Sequence, residues 1–198
     1  PAVPGEGATM TSHQDAVTLL TEDHRTVEQL FADYERGLQG PEPKRQVVDQ
    51  IIRELSIHAA IEEAYLYPEV RKALGEGGEL VDEGLHEHQE VKETLAALED
   101  MDPADAAYDQ KVASLIADVR HHVEEEEGEM FPKLRTALST EQLADIGRKL
   151  ADGKAKAPTR PHPAAPASGP GAKLAGPAAG MVDRVRDQLS DRPSDPDA

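Results

Sequence analysis

The sequence predicts an all-α protein: an up-down-up-down four-helix bundle with a short fifth helix and a disordered C-terminal tail. Three observations carry this. Apolar residues recur in steps of three and four along four long stretches, which marks helical faces. Clusters of Gly and Pro punctuate those stretches. The second pair of stretches repeats the first under a single shift of 64 residues with no gap: His24 onto His88, His58 onto His122, Glu62 onto Glu126, Phe31 onto Leu95, Pro68 onto Pro132.

The first helix spans 14–38, with Val17, Leu20, His24, Val27, Phe31 and Tyr34 on one face; Gly37, Gly40, Pro41 and Pro43 end it. The second spans 44–74, with Ile51, Ile52, Leu55, His58, Glu62, Leu66 and Val70 on its face, and Pro68 predicts a kink or its last turns. Helix three fits 79–101, after Gly75, Gly77 and Gly78, and helix four fits 104–138, with Pro132 where Pro68 stood. Ser139 and Gln142 are spaced as a capping box and start the short fifth helix over 140–151. The resulting division is a flexible N-terminus over 1–13, in which Met10 is an alternative start, a bundle over 14–138, an accessory helix over 139–152, and a tail over 153–198 rich in Pro, Ala and Gly. That composition predicts disorder; Met181, Val182, Val185 and Leu189 are the tail's one amphipathic element and its candidate contact with a protein partner.

Composition removes several function classes. A net charge of -18 disfavours nucleic acid and anionic lipid as partners. The absence of cysteine rules out disulfides, zinc-thiolate sites and thiol catalysis. No apolar run suits a membrane span, and residues 1–12 lack a secretory pattern, so a cytoplasmic location is the expectation.

Each half offers a lone His and, 34 residues later, a His-x-x-x-Glu. Residues four apart share a helical face, so His58 with Glu62 and His122 with Glu126 can reach one metal region, joined by His24 and His88 from the other two helices. Imidazole with carboxylate suits a divalent transition metal better than Ca or Mg. Either two metals or one site built by both halves satisfies the pattern. His86 with Glu90 and His121 with Glu125 have the same spacing but do not repeat under the shift, since Glu22 and Ile57 stand at the counterparts of the two histidines. Both histidines are expected at the surface. His13 and His162 have no evident role, and Glu63 and Glu127 are expected as outer partners of the ligands or as solvated charge.

These residues resemble the hemerythrin-like, cation-binding family of bacterial type. The likeness rests on Asp23-His24, His58 to Glu63 followed by Tyr67-Pro68, Glu87-His88, and His122 to Glu127 followed by Phe131-Pro132, and covers roughly 14–138. It implies two non-haem Fe ions with an oxo or hydroxo bridge, held by His24, His58, Glu62, His88, His122 and Glu126, that meet O2, hydrogen peroxide or nitric oxide. Oxygen-carrying members have a fifth His where this chain has Gly84, so the iron shell is expected to be incomplete, with free space beside His88. Tyr65 and Glu129, related by the same shift, are the candidates to fill or gate the open positions, Glu129 also to move protons. Catalase-like disproportionation of peroxide is the enzymatic form of this reading. Iron or oxygen sensing, or iron binding without turnover, is the alternative.

Overall fold

The computed structural model describes residues 14–75, 77–165 and 169–189. The flexible segment expected over 1–13 and the last nine residues lie outside them. Every regular element among the described residues is helical.

Four rods form the bundle. Helix α1 (Ala16–Glu35) is the first, started by Asp15, whose side chain accepts the Thr18 N–H at 2.9 Å. The second rod is compound: α2 (Pro41–Ile61), a π turn (Glu62–Leu66) and α3 (Tyr67–Ala73). Helix α4 (Gly77–Asp100) is the third. The fourth repeats the compound pattern as α5 (Tyr108–Glu125), a π turn (Glu126–Met130) and α6 (Phe131–Ala137). Short connections make neighbouring rods antiparallel.

The prolines account for where the π turns fall. Pro68 and Pro132 have no N–H to donate, so the ladder must be rebuilt just before them. The Tyr67 N–H reaches back five residues to the Glu62 carbonyl, and the Phe131 N–H to that of Glu126. Each break inserts one residue into the rod immediately after the site glutamate.

Two apolar clusters fill the bundle, one on either side of a polar layer. One contains Val27, Phe31, Ile51, Leu95, Leu115 and their neighbours. The other contains Leu20, Ile57, Ile61, Leu66, Tyr67, Phe131 and Leu134, and is extended by Leu143, Ile146 and Leu150 of α7 (Thr140–Lys154). The Ser139–Gln142 capping box at the start of α7 is formed as expected. Helix α7 packs on α1, α2 and the first π turn.

The tail departs from the sequence expectation. Residues 155–165 lie against the bundle, and α8 (Gly169–Leu189) follows. What holds them is polar, which is why apolar content did not reveal it. Buried Arg160 pairs with Glu99 of α4 and donates to Asp187 at 2.8 Å; Thr159 donates to Asp187 at 2.5 Å; His162 meets Asp183 at 2.9 Å. Met181, Val182 and Val185 are exposed. No helix of the described residues is long and apolar enough to cross a membrane.

Candidate metal centre

The polar layer is built from one residue of α1, one of α2, one of α4, one of α5 and the first residue of each π turn. His24, His58, His88 and His122 direct Nε2 inward onto Glu62 and Glu126, and all six side chains are buried. His58 Nε2 lies 3.1 Å from Glu62 Oε2 and His88 Nε2 3.4 Å from the same oxygen. His24 Nε2 lies 3.4 Å and His122 Nε2 3.7 Å from Glu126 Oε2. The ligand atoms fall into two groups: His24, His58, Glu62 and Glu126, and then Glu62, His88 and His122. Glu62 belongs to both.

An outer ring of carboxylates orients the imidazoles, and it obeys the shift of 64. His24 Nδ1 meets Glu127 at 2.8 Å, and its counterpart His88 meets Glu63 at 3.1 Å. His122 Nδ1 meets Glu87 at 2.6 Å; its counterpart His58 faces Asp23 at 3.6 Å, a looser ion-pair distance. Glu63 and Glu127 are thus partners of imidazoles. A carboxylate on Nδ1–H leaves Nε2 as the lone pair, aimed into the layer.

Five of the inward atoms then lack partners, while Nε2 of His88 and of His122 lie 3.2 Å from each other. Nε2 of His24 and His58, both Glu62 oxygens and Glu126 Oε2 are buried with no hydrogen bond. Buried lone pairs facing one another across 3–4 Å are costly unless a cation or protons lie between them. Among the protein groups alone, protons do so. Burial pulls His58 and His88 down, but the charges of Glu62, Asp23 and Glu63 more than reverse this, holding His58 well above the ordinary imidazole value and His88 at about 9. Burial raises Glu62, yet His58 and His88 hold its carboxyl well below the usual range. Four imidazoles and two carboxylates, with orphaned atoms on His24, His58, Glu62 and Glu126, match the donor set of a transition-metal pair. On one side of the layer is an apolar cavity of about 20 Å³, lined by the four histidines with Val27, Leu55, Val91 and Val119 among others. That is room for one water-sized guest.

Tyr67 is the residue that sequence reasoning placed beside the motif without giving it a role at the metal. Its hydroxyl donates to Glu126 at 3.2 Å and lies 3.2 Å from His88 Nε2. Burial, then the charges of Glu126, Glu62 and Glu63, hold the phenol well above its ordinary value, so it stays protonated there. Its counterpart Phe131 has no hydroxyl and stacks on His24, with ring centroids 5.8 Å apart.

Three expectations are corrected by this geometry. Tyr65 faces α7, its ring so close to Gly153 that a Cβ there would sit 2.6 Å from it. Glu129 is exposed and pairs with Lys133 at 2.6 Å. The structure thus places Tyr65 against α7 and Glu129 at the surface, apart from the six inward side chains. The space expected at Gly84 is taken: a Cβ there would lie 2.7 Å from the Tyr67 hydroxyl. Gly84 is what admits the phenol, and a histidine at that position would displace it. His162, expected to be idle, anchors α8 through Asp183.

A helical bundle with a duplicated, buried His/Glu centre defines a class of cation-binding proteins, and the comparisons agree. The model of the hemerythrin HHE cation-binding domain matches residues 15–134. A hemerythrin-like protein of Schizosaccharomyces pombe is 31% identical over 187 residues, covering 93% of this chain and 89% of that protein. The chain belongs to the hemerythrin HHE cation-binding family. A Nostoc protein described as a DNA nickase is 32% identical over 145 residues, 72% of this chain but 39% of its own length. The crystal structure of an HHE cation-binding-domain protein from Mycobacterium kansasii superposes with a TM-score of 0.63 at 24% identity, covering 72% of this chain and 86% of that one, and shares the fold.

Proposed function

We propose that the centre holds two non-haem iron ions and reacts with O2, hydrogen peroxide or nitric oxide, with catalase-like disproportionation of peroxide as its enzymatic form. The observation that carries this is the set of orphaned, inward-facing Nε2 and carboxylate atoms, beside an apolar cavity sized for a small guest. His24 and His58 would hold one ion, His88 and His122 the other. Glu62 would span both, and Glu126 would join the first. When bound, two irons supply and take back two electrons. In disproportionation one peroxide takes two electrons and two protons and leaves as two waters; a second returns them and leaves as O2. Glu126 and the Tyr67 hydroxyl, in contact and buried, are the groups at which those protons are held, and the apolar walls exclude bulk water from them.

A second reading, iron or oxygen sensing without turnover, is favoured by one contact. Lys154, at the end of α7, pairs with Asp23, which faces His58. Occupancy of the centre would be felt by α7 and the segment after it. Limited proteolysis of residues 155–189 with and without iron reads this; equal cleavage rates would remove it. The activity named for the Nostoc relative does not enter either reading, because the chain spans 39% of that protein and its net charge of -18 opposes a polyanion.

The test is metal content and oxygen evolution for protein from iron-fed cells, before and after adding peroxide. Two irons per chain with fast oxygen evolution are expected. Absence of iron, or iron that survives His58→Ala with His122→Ala, would overturn the centre; two irons without turnover would leave sensing. Tyr67→Phe should alter the optical spectrum of the loaded protein and Tyr65→Phe should not.

A further inference from the structure

We propose that Glu87, His121 and Glu125 form a separate, peripheral site for a divalent transition ion such as Zn2+ on the surface of the C-terminal half. His121 Nε2 lies 3.5 Å from Glu125 Oε1 and 4.0 Å from Glu87 Oε1. Two ligands each about 2.1 Å from one tetrahedral ion stand roughly 3.4 Å apart, so little movement is needed to close on an ion. One imidazole and two carboxylates suit zinc or a similar borderline ion better than calcium, and water completes the shell at a surface. His86 and Glu90 share the sequence spacing, at 3.6 Å, but are joined by no third ligand among the described residues.

The internal repeat supplies a second, independent observation. Glu87 orients His122, and its counterpart Asp23 faces His58. On Asp23 the protein places a cation of its own, Lys154 of α7. On Glu87 it places none: among the described residues Glu87 meets only histidine nitrogens. Where His121 and Glu125 stand, the other half has Ile57 and Ile61, buried beneath α7. The same carboxylate position is thus served by an internal ammonium on the covered side and faces open ligands on the bare side. An ion there would share Glu87 with His122, tying the surface site to the inner centre through one carboxylate. The proposal stands whatever metal the inner centre takes.

Equilibrium dialysis of the full chain against Zn2+, with zinc and iron both counted by mass spectrometry, tests it. Wild-type protein should retain one zinc per chain more than His121→Ala, with iron content equal in the two. Glu125→Gln should weaken that zinc at least tenfold, and His86→Ala should leave it in place. His121 is 65% exposed and Glu125 39% exposed, so neither change disturbs packing. Equal zinc in wild type and His121→Ala, or loss of the zinc on His86→Ala, would overturn the site. Because the reading is a difference between two proteins, failure of the inner centre to hold iron would appear separately, in the iron count.

Discussion

The two halves of the bundle carry the same ligands at the same spacing, yet one is covered and the other bare. In the N-terminal half, α7 lies over Ile57 and Ile61, and Lys154 caps Asp23. In the C-terminal half the equivalent face presents His121 and Glu125 to solvent. Inside the layer the asymmetry runs through different residues. Tyr67 with Gly84 brings a hydroxyl to the His88 side, whereas Phe131 with Leu20 seals the His24 side with hydrocarbon. The outer carboxylates differ as well: Glu63 is buried and held by Lys92 at 2.6 Å, while Glu127 is 39% exposed. A repeat in sequence therefore yields the same ligand types at the same spacing but unequal grouping and unequal chemistry, because what packs behind each ligand is not repeated.

The sharpest way to break this comparison is at the two site glutamates. Glu62→Ala should release both ions, since Glu62 serves both groups, while Glu126→Ala should spare the ion at His88 and His122. Metals counted per chain distinguish the two, and equal losses would mean that the centre is symmetric after all. Next in size is Lys92→Met. It leaves the buried Glu63 carboxylate with His88 but without its ammonium partner and should cost about 3 kcal/mol in urea unfolding. Arg120→Met on the exposed side, where Arg120 pairs with Glu28 at 2.7 Å, should cost no more than about 1 kcal/mol.

A pH series follows. His58 and His88 are raised above their unfolded value of 6.5, so metal-stripped protein gains stability from them in full below pH 6.5. That contribution is lost as pH rises, for His88 through about 9. Its Tm should fall between pH 6.5 and 9. Metal affinity should rise over the same range, since binding displaces those protons. A flat Tm would show that the imidazoles are neutral without metal. The smallest effect is expected from Lys154→Met, about 1 kcal/mol or less, because the lysine is part exposed. Its value lies in the comparison, since it makes the covered half resemble the bare one.

Much of this was legible in the sequence, for identifiable reasons. The bundle followed from 3.6-residue periodicity and turn residues, which report burial directly. The six inward residues followed from the repeat, because residues that must converge on one point keep their spacing. Tyr67 was misjudged for a local reason. An α-helical register places Tyr65, three residues after Glu62, nearer the site than Tyr67, five after it. The π turn brings the fifth residue round instead, and Pro68 was the signal for it. The tail was missed because Arg160, Thr159 and His162 hold it through Asp183, Asp187 and Glu99, and periodicity is blind to polar anchoring between distant segments. Space at Gly84 was misread because absence of a side chain says nothing about what fills the room.

The π turns also set where this chain can tolerate a change of length. Each five-residue turn, Glu62–Leu66 or Glu126–Met130, carries one residue beyond the α-helical path. Deleting one residue inside a turn would let it relax to a plain helix, whose fourth residue comes round where the π turn now brings its fifth, so the rod beyond would keep its facing. Tyr67 would stay at the layer and Val70 in the core it now fills. A codon lost from the 36–40 connection would shorten a loop and leave both rods in register. A residue lost from a regular stretch of a rod has no such slack and would turn everything beyond it by about 100°.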